Sequence, residues 1–138
     1  TAAAIEYFER TAKKSGFMLM VEAGHLDYCA HDNDAVTTFE EVNHLSQSVQ
    51  LALDFYKKYP EQTLIIVTAD HGGHDRCHGT DLPEDMTIPM IFYGPQFVPG
   101  EELSGISILD IAPTIADIIG VSPAKEWEGK SLVSDMNK

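Results

Sequence analysis

Residues 63–78 read TLIIVTADHGGHDRCH, an apolar, β-branched run that ends abruptly in acid, imidazole and glycine. The run 63–69 predicts a buried strand. Asp70 and His71 close it, Gly72 and Gly73 permit a sharp bend, and His78 follows within reach of the strand's end. Ligands placed just past strand ends are where open α/β sheets build their sites. Carboxylates and imidazoles together are ordinary zinc ligands.

An earlier stretch repeats the pattern. Residues 17–22, FMLMVE, predict a second short strand with Glu22 at its exit. Asp27 and His31 follow four residues apart, a spacing that puts both on one face of a helical turn. Glu22 suits a harder ion such as magnesium. His25, His74 and Arg76 flank this set, where they would orient a ligand or face substrate; a surface role for Arg76 is the simpler alternative. His44 reads as solvent-facing on a helix, Asp32 and Asp34 as caps or solvated groups, and Asp75, Asp81, Glu84 and Asp85 as a solvated face, with Asp81 placed to orient His78.

Between and beyond these stretches the pattern is helical. Residues 2–14 carry an apolar stripe, and 39–58 repeat apolar residues at spacings of three and four up to Tyr59-Pro60. Residues 23–38 read mostly as loop and 70–86 as irregular. Residues 87–93 predict a third strand, weakened by Pro89. Asp110–Ile119 predicts a helix with Pro113 in its first turns and Gly120 as its stop. One turn around Trp127 and a frayed polar end complete the tail. Strands alternating with helices predict an α/β fold, a mostly parallel sheet flanked by helices, in a single domain 1–138.

Composition bounds the function. Hydrophobic residues make up 43% of 138, enough for a core. A formal net charge of -13 disfavours nucleic acid and anionic lipid as partners. An anionic substrate stays open, because bound metal inverts the local field. No stretch approaches the roughly 18 apolar residues of a membrane span. Cys29 and Cys77 form no disulfide framework. Free thiols are the first reading, a pair the second, and zinc binding by either the third.

Taken in order, four stretches resemble the alkaline phosphatase superfamily. GFMLMVEAGHLDYCAHDNDAV, residues 16–36, is similar to a strand followed by E-G-x-x-I-D-x-x-x-H. TLIIVTADHGG resembles the later T-A-D-H strand. HGTDLPEDMTIPMIFYGP resembles the last metal histidine and the strand ending Y-G-P. ILDIAPTIADIIGV with GKSL resembles the C-terminal end of the wider superfamily, which includes sulfatases and nucleotide pyrophosphatase/phosphodiesterases.

The resemblance implies a hydrolase with two zinc ions and a magnesium ion. Asp27, His31 and His78 would hold the first zinc, Asp70 and His71 the second, and Glu22 the magnesium. It implies phosphorylated small molecules as substrates and a phospho-enzyme intermediate. It also implies a periplasmic or extracellular location and a homodimer as one candidate assembly. The family's nucleophile and remaining ligands have no counterpart before Glu22. The chain is therefore expected to be the C-terminal portion of the catalytic domain, partnered by a missing N-terminal half and inactive alone. Ala23 departs from a common second glycine, and the short link between His71 and His78 is more typical of phosphodiesterase relatives.

Overall fold

The computed structural model describes residues 1–12 and 14–133. It is helix-rich with a small two-stranded sheet. The chain divides into two compact units: Thr1–Pro60 with Val67–Met90, and Glu61–Ile66 with Ile91–Lys138.

The first unit holds α1 (Ala2–Thr11), α2 (His25–His31), α3 (Ala35–Lys58) and the single turn α4 (Pro83–Met86). Its apolar seam joins α1 to α3 through aromatics. Phe8 stacks on Phe17 at 5.0 Å, and Phe17 meets Phe55 edge-on at 5.6 Å. Glu9 reinforces the seam by accepting from Lys58 Nζ and Tyr59 Oη. The long helix starts four residues before the expected position 39. Asp34 is the reason: its carboxylate accepts from Thr37 N at 3.1 Å and Thr37 Oγ1 at 2.6 Å, satisfying a first-turn donor. These bonds hold the Asp34 carboxyl below the usual range.

The strands β1 (Ile65–Thr68) and β2 (Met90–Tyr93) are paired neighbours. β2 begins just past Pro89, which has no N–H for a ladder, so the expected strand 87–93 is shortened at its start. The expected strand 17–22 does not form. Its apolar run supplies side chains but finds no ladder partner among the described residues. Met18 and Met20 remain 58% and 79% exposed. With two strands only among the described residues, the large, mostly parallel sheet of the sequence reading is not seen. The expected loop 23–38 likewise gives way to α2 and the start of α3.

In the second unit, α5 (Ile111–Ile118) follows a 3-10 turn, Ile108–Asp110. Buried Asp110 organises this end. Its carboxylate accepts from Ser107 N at 2.8 Å and Lys130 N at 2.9 Å, while Thr114 Oγ1 donates to its carbonyl at 2.6 Å. Pro113 sits in the first turn of α5, where its missing N–H has no helical acceptor to lose. Gly120, at φ 72°, closes the helix. Its N–H reaches Asp117 O, and that of Val121 reaches Ala116 O. A turn at Trp127 forms as expected, with Trp127 N donating to Ala124 O at 3.2 Å. The frayed end expected over 134–138 lies outside the described residues, as does position 13 of the expected first helix.

Candidate metal centre

Every expected ligand lies in the first unit. Asp27 and His31 sit one turn apart on α2, and the i,i+4 spacing brings His31 Nε2 to 3.5 Å from Asp27 Oδ1. Asp70 and His71 follow β1 after Ala69. Gly72 then runs so close to the Glu84 and Thr87 carbonyls that a Cβ there would overlap the Glu84 oxygen. Two backbone bonds fix this approach, Gly72 N to Asp85 O at 2.7 Å and Gly73 N to Glu84 O at 2.9 Å.

The chain next turns back on itself. His74 and Cys77 exchange both backbone bonds across a tight bend, at 2.9 and 2.8 Å. Asp75 takes φ 50° in that bend, a left-handed conformation that Asp tolerates better than most residues. The bend returns His78 to His71, and their rings stack at 3.7 Å.

The result is a convergence on one carboxylate. Asp27 Oδ1 lies 3.5, 3.9 and 3.6 Å from the Nε2 atoms of His31, His71 and His78. Ligand atoms of Asp27, His71 and His78 all fall within 4.8 Å of one another. These spacings are too long for hydrogen bonds. They approach the roughly 3.3 Å that separates two ligands of a tetrahedral zinc with bonds near 2.0 Å.

Two of the three imidazoles are also held in the tautomer that binding needs. His31 Nδ1 donates to Arg76 O and His71 Nδ1 to Gly72 O, each at 2.7 Å. With the proton committed to Nδ1, a neutral ring turns its Nε2 lone pair toward Asp27. Asp27, His71 and His78 thus form a group that could hold a metal ion, with His31 Nε2 3.5 Å from the same carboxylate oxygen.

The remaining expected residues are placed as follows. Asp70 is 86% exposed, with Oδ2 at 3.7 Å from His71 Nε2, so His71 stands between Asp70 and Asp27. Glu22 is exposed, and its carboxylate lies over Gly24, outside the group around Asp27. His25 is exposed and meets the Tyr28 ring at 6.0 Å. Arg76 directs Nη2 to Asp32 O at 3.4 Å, and Asn33, with its amide turned to satisfy both partners, accepts from Arg76 Nε at 3.0 Å. Its guanidinium therefore ties the bend to the end of α2. His44 is exposed as expected, near Glu41.

The cysteines are free: Cys29 is buried and Cys77 exposed. Burial, then the carboxylates of Asp34, Glu41 and Asp32, push the Cys29 thiol up, which disfavours the thiolate that zinc requires.

One acidic residue departs from the sequence reading. Asp75, Asp81 and Glu84 are exposed, but the Asp85 side chain is only 1% exposed. Its Oδ1 accepts from His74 Nδ1 at 2.7 Å, and its Oδ2 from Thr80 N at 2.8 Å and Thr80 Oγ1 at 2.7 Å. With its oxygens so satisfied, the carboxylate tolerates burial. The His74 bond, then the Thr80 bonds, lower its pKa to about 2, and the Asp85 bond raises that of His74 above its ordinary 6.5.

The raised imidazole stabilises the fold below pH 6.5 and loses that contribution as pH climbs through its folded-state value. The lowered carboxyl stabilises above pH 3.8 and loses its contribution as pH falls toward about 2. The drop in Tm caused by Asp85→Asn is therefore expected to be largest between pH 3.8 and 6.5 and to shrink above that window. A drop that stays constant as pH rises past the window contradicts the pairing.

The alkaline phosphatase family model matches residues 1–89, a stretch that contains all six proposed ligands. The chain belongs to the alkaline phosphatase family. Alkaline phosphatase 4 of Bacillus subtilis (strain 168) is 48% identical over 58 residues, covering 42% of this chain and 12% of that protein. Alkaline phosphatase 3 of the same organism is 44% identical over 68 residues, 49% of this chain and 14% of that protein. A phosphopentomutase of Pectobacterium atrosepticum is 37% identical over 70 residues, 51% of this chain and 16% of that protein. This alkaline phosphatase family chain thus matches only a small part of each relative's length. No solved structure matches it.

Proposed function

We propose that the protein carrying this chain hydrolyses phosphate monoesters in a zinc-dependent reaction. The observation that carries the proposal is the convergence of three Nε2 atoms on Asp27 Oδ1, with two of the rings locked at Nδ1 by backbone carbonyls. Asp27, His31 and His78 hold the first zinc. Asp70 and His71 hold the second, with His71 next to both sites. Glu22 holds magnesium together with groups from elsewhere in the enzyme.

Bound zinc supplies charge neutralisation at the phosphoryl group and acidifies a hydroxyl nucleophile. The chain's own side chains position that charge. Asp27 and Asp70 offset it, and the Nδ1 bonds of His31 and His71 keep those two rings aimed with Nε2 toward Asp27. The nucleophile belongs to the rest of the catalytic domain. It attacks phosphorus and expels the alcohol, giving a phospho-enzyme that water then hydrolyses. That missing N-terminal half also completes a mostly parallel sheet, pairing residues 17–22 and covering exposed Met18 and Met20. Phosphorylated small molecules are the substrates, a periplasmic or extracellular location belongs to the same reading, and a homodimer is one assembly open to it. Among the described residues no helix is long and apolar enough to cross a membrane.

A second reading has one observation in its favour. Only residues 72–77 separate His71 from His78, a compactness that suits a phosphodiesterase or nucleotide pyrophosphatase of the same superfamily. In a third, this chain is a catalytically silent metal-binding or interaction fragment. Rates of the full-length enzyme on an aryl phosphate monoester and the matching diester separate the first two. The monoester is expected to be the faster substrate, and a diester preference of about tenfold, ~1.4 kcal/mol in barrier, overturns the phosphatase reading. The 138-residue chain alone is expected to turn over neither ester. Turnover by it that Asp70→Ala abolishes would place the nucleophile within this chain.

A further inference from the structure

The Asp85 carboxylate grips the bend that carries His78 from both sides. His74 precedes His78 and Thr80 follows it, and both are bonded to the same buried group at 2.7 Å. The backbone of Asp85 is tied in turn to Gly72, the residue after His71. We propose that His74 is a positioning residue: its Nδ1–H, held by Asp85, sets the bend that brings His78 against His71 and Asp27. The proposal rests on the zinc reading of that cluster and adds to it a residue outside the ligand set.

The geometry separates this role from that of a ligand. A carboxylate only accepts, so Nδ1 of His74 carries the proton and is committed to Asp85. His31, His71 and His78 each bring Nε2 within 4 Å of Asp27 Oδ1, whereas the close carboxylate partner of His74 is Asp85, at 2.7 Å. Its contribution to zinc binding is therefore to the shape of the bend. Without it, the span from Gly73 to Thr80 keeps the His74–Cys77 backbone bonds and the Thr80 bonds to Asp85 but loses the anchor on the side that precedes His78.

Zinc affinity, measured by competition with a chelator on the purified protein, tests this with two substitutions. His74→Ala removes the donor. His74→Asn restores an amide N–H close to the position of Nδ1 but has nothing at Nε2. His74→Ala is expected to weaken zinc by about tenfold or more, while His74→Asn stays within about threefold of the parent. If Asn is as damaging as Ala, His74 acts through Nε2 and the positioning role is wrong. If Ala binds zinc like the parent, the anchor is irrelevant and the inference is wrong. Failure of the unsubstituted protein to bind zinc would instead overturn the metal reading itself, and this inference with it.

Discussion

Asp27→Ala is expected to lower zinc affinity by on the order of a hundredfold to a thousandfold. Structural zinc sites bind with roughly 10–16 kcal/mol, so one of four ligands carries about 3 kcal/mol. Asp27 should sit at the upper end of that range. Its Oδ1 is the common neighbour of the His31, His71 and His78 imidazoles. Without the carboxylate, the three rings would have to share a dication, and Asp70, 3.7 Å from His71 Nε2, is 86% exposed. Calorimetric or chelator-competition titration measures the loss. His44→Ala, on an exposed helix face, serves as the matched control and should leave affinity unchanged. Falling pH should weaken binding in the unsubstituted protein, because protons compete for the imidazoles. An Asp27→Ala protein that keeps its zinc would show that the cluster is held together for some other purpose.

Gly72→Ala is expected to produce a large loss of stability. The new Cβ would overlap the Glu84 carbonyl oxygen and lie 2.9 Å from that of Thr87. Those atoms are backbone, so no side chain can swing aside to make room. Relief requires α4 to separate from the chain at Gly72, which breaks the Gly72 N to Asp85 O and Gly73 N to Glu84 O bonds together. Overpacking of this kind costs about 3 kcal/mol. Zinc affinity should fall as well, since His71 donates to the Gly72 carbonyl and would lose its fixed tautomer. Gly79→Ala is the instructive comparison. Its added methyl meets nothing within 4 Å, and the expected cost comes only from φ 89°. Denaturant unfolding of the two variants should rank Gly72→Ala as clearly the more damaging. Equal stability would mean that the close approach at Gly72 is not maintained in solution.

The parts of this architecture legible in sequence are those set by local chemistry. The long helix to Lys58, the β1 run and α5 with its glycine stop all follow from periodicity, β-branching and turn residues within a few positions. The spacing of Asp27 and His31 already implied a shared helical face, and α2 provides it. Its helical extent was hidden because GHLDYCAH is polar and short, and the helix stops at His31, two residues before Asn33 at φ 52°. The strand expected at 17–22 failed for the opposite reason. Apolar content is local, but a strand needs a partner, and the sequence of one segment cannot name it. Asp85 was illegible for a third reason. In the run TDLPED, an acid reads as solvated unless the distant His74 and the nearby Thr80 are known to close around it. Arg76 shows the same limit: the side chain that could have faced a phosphoryl group is engaged by Asp32 and Asn33 at the end of α2.

Anomalous scattering at the zinc absorption edge, from crystals of the protein grown with zinc, tests the central claim most directly. A peak within bonding distance of Asp27 Oδ1 and of Nε2 on His31 and His78, with His71 beside it, is the predicted result. A peak on Cys29 or Cys77, or crystals in which zinc is supplied and no peak appears at Asp27, would contradict it.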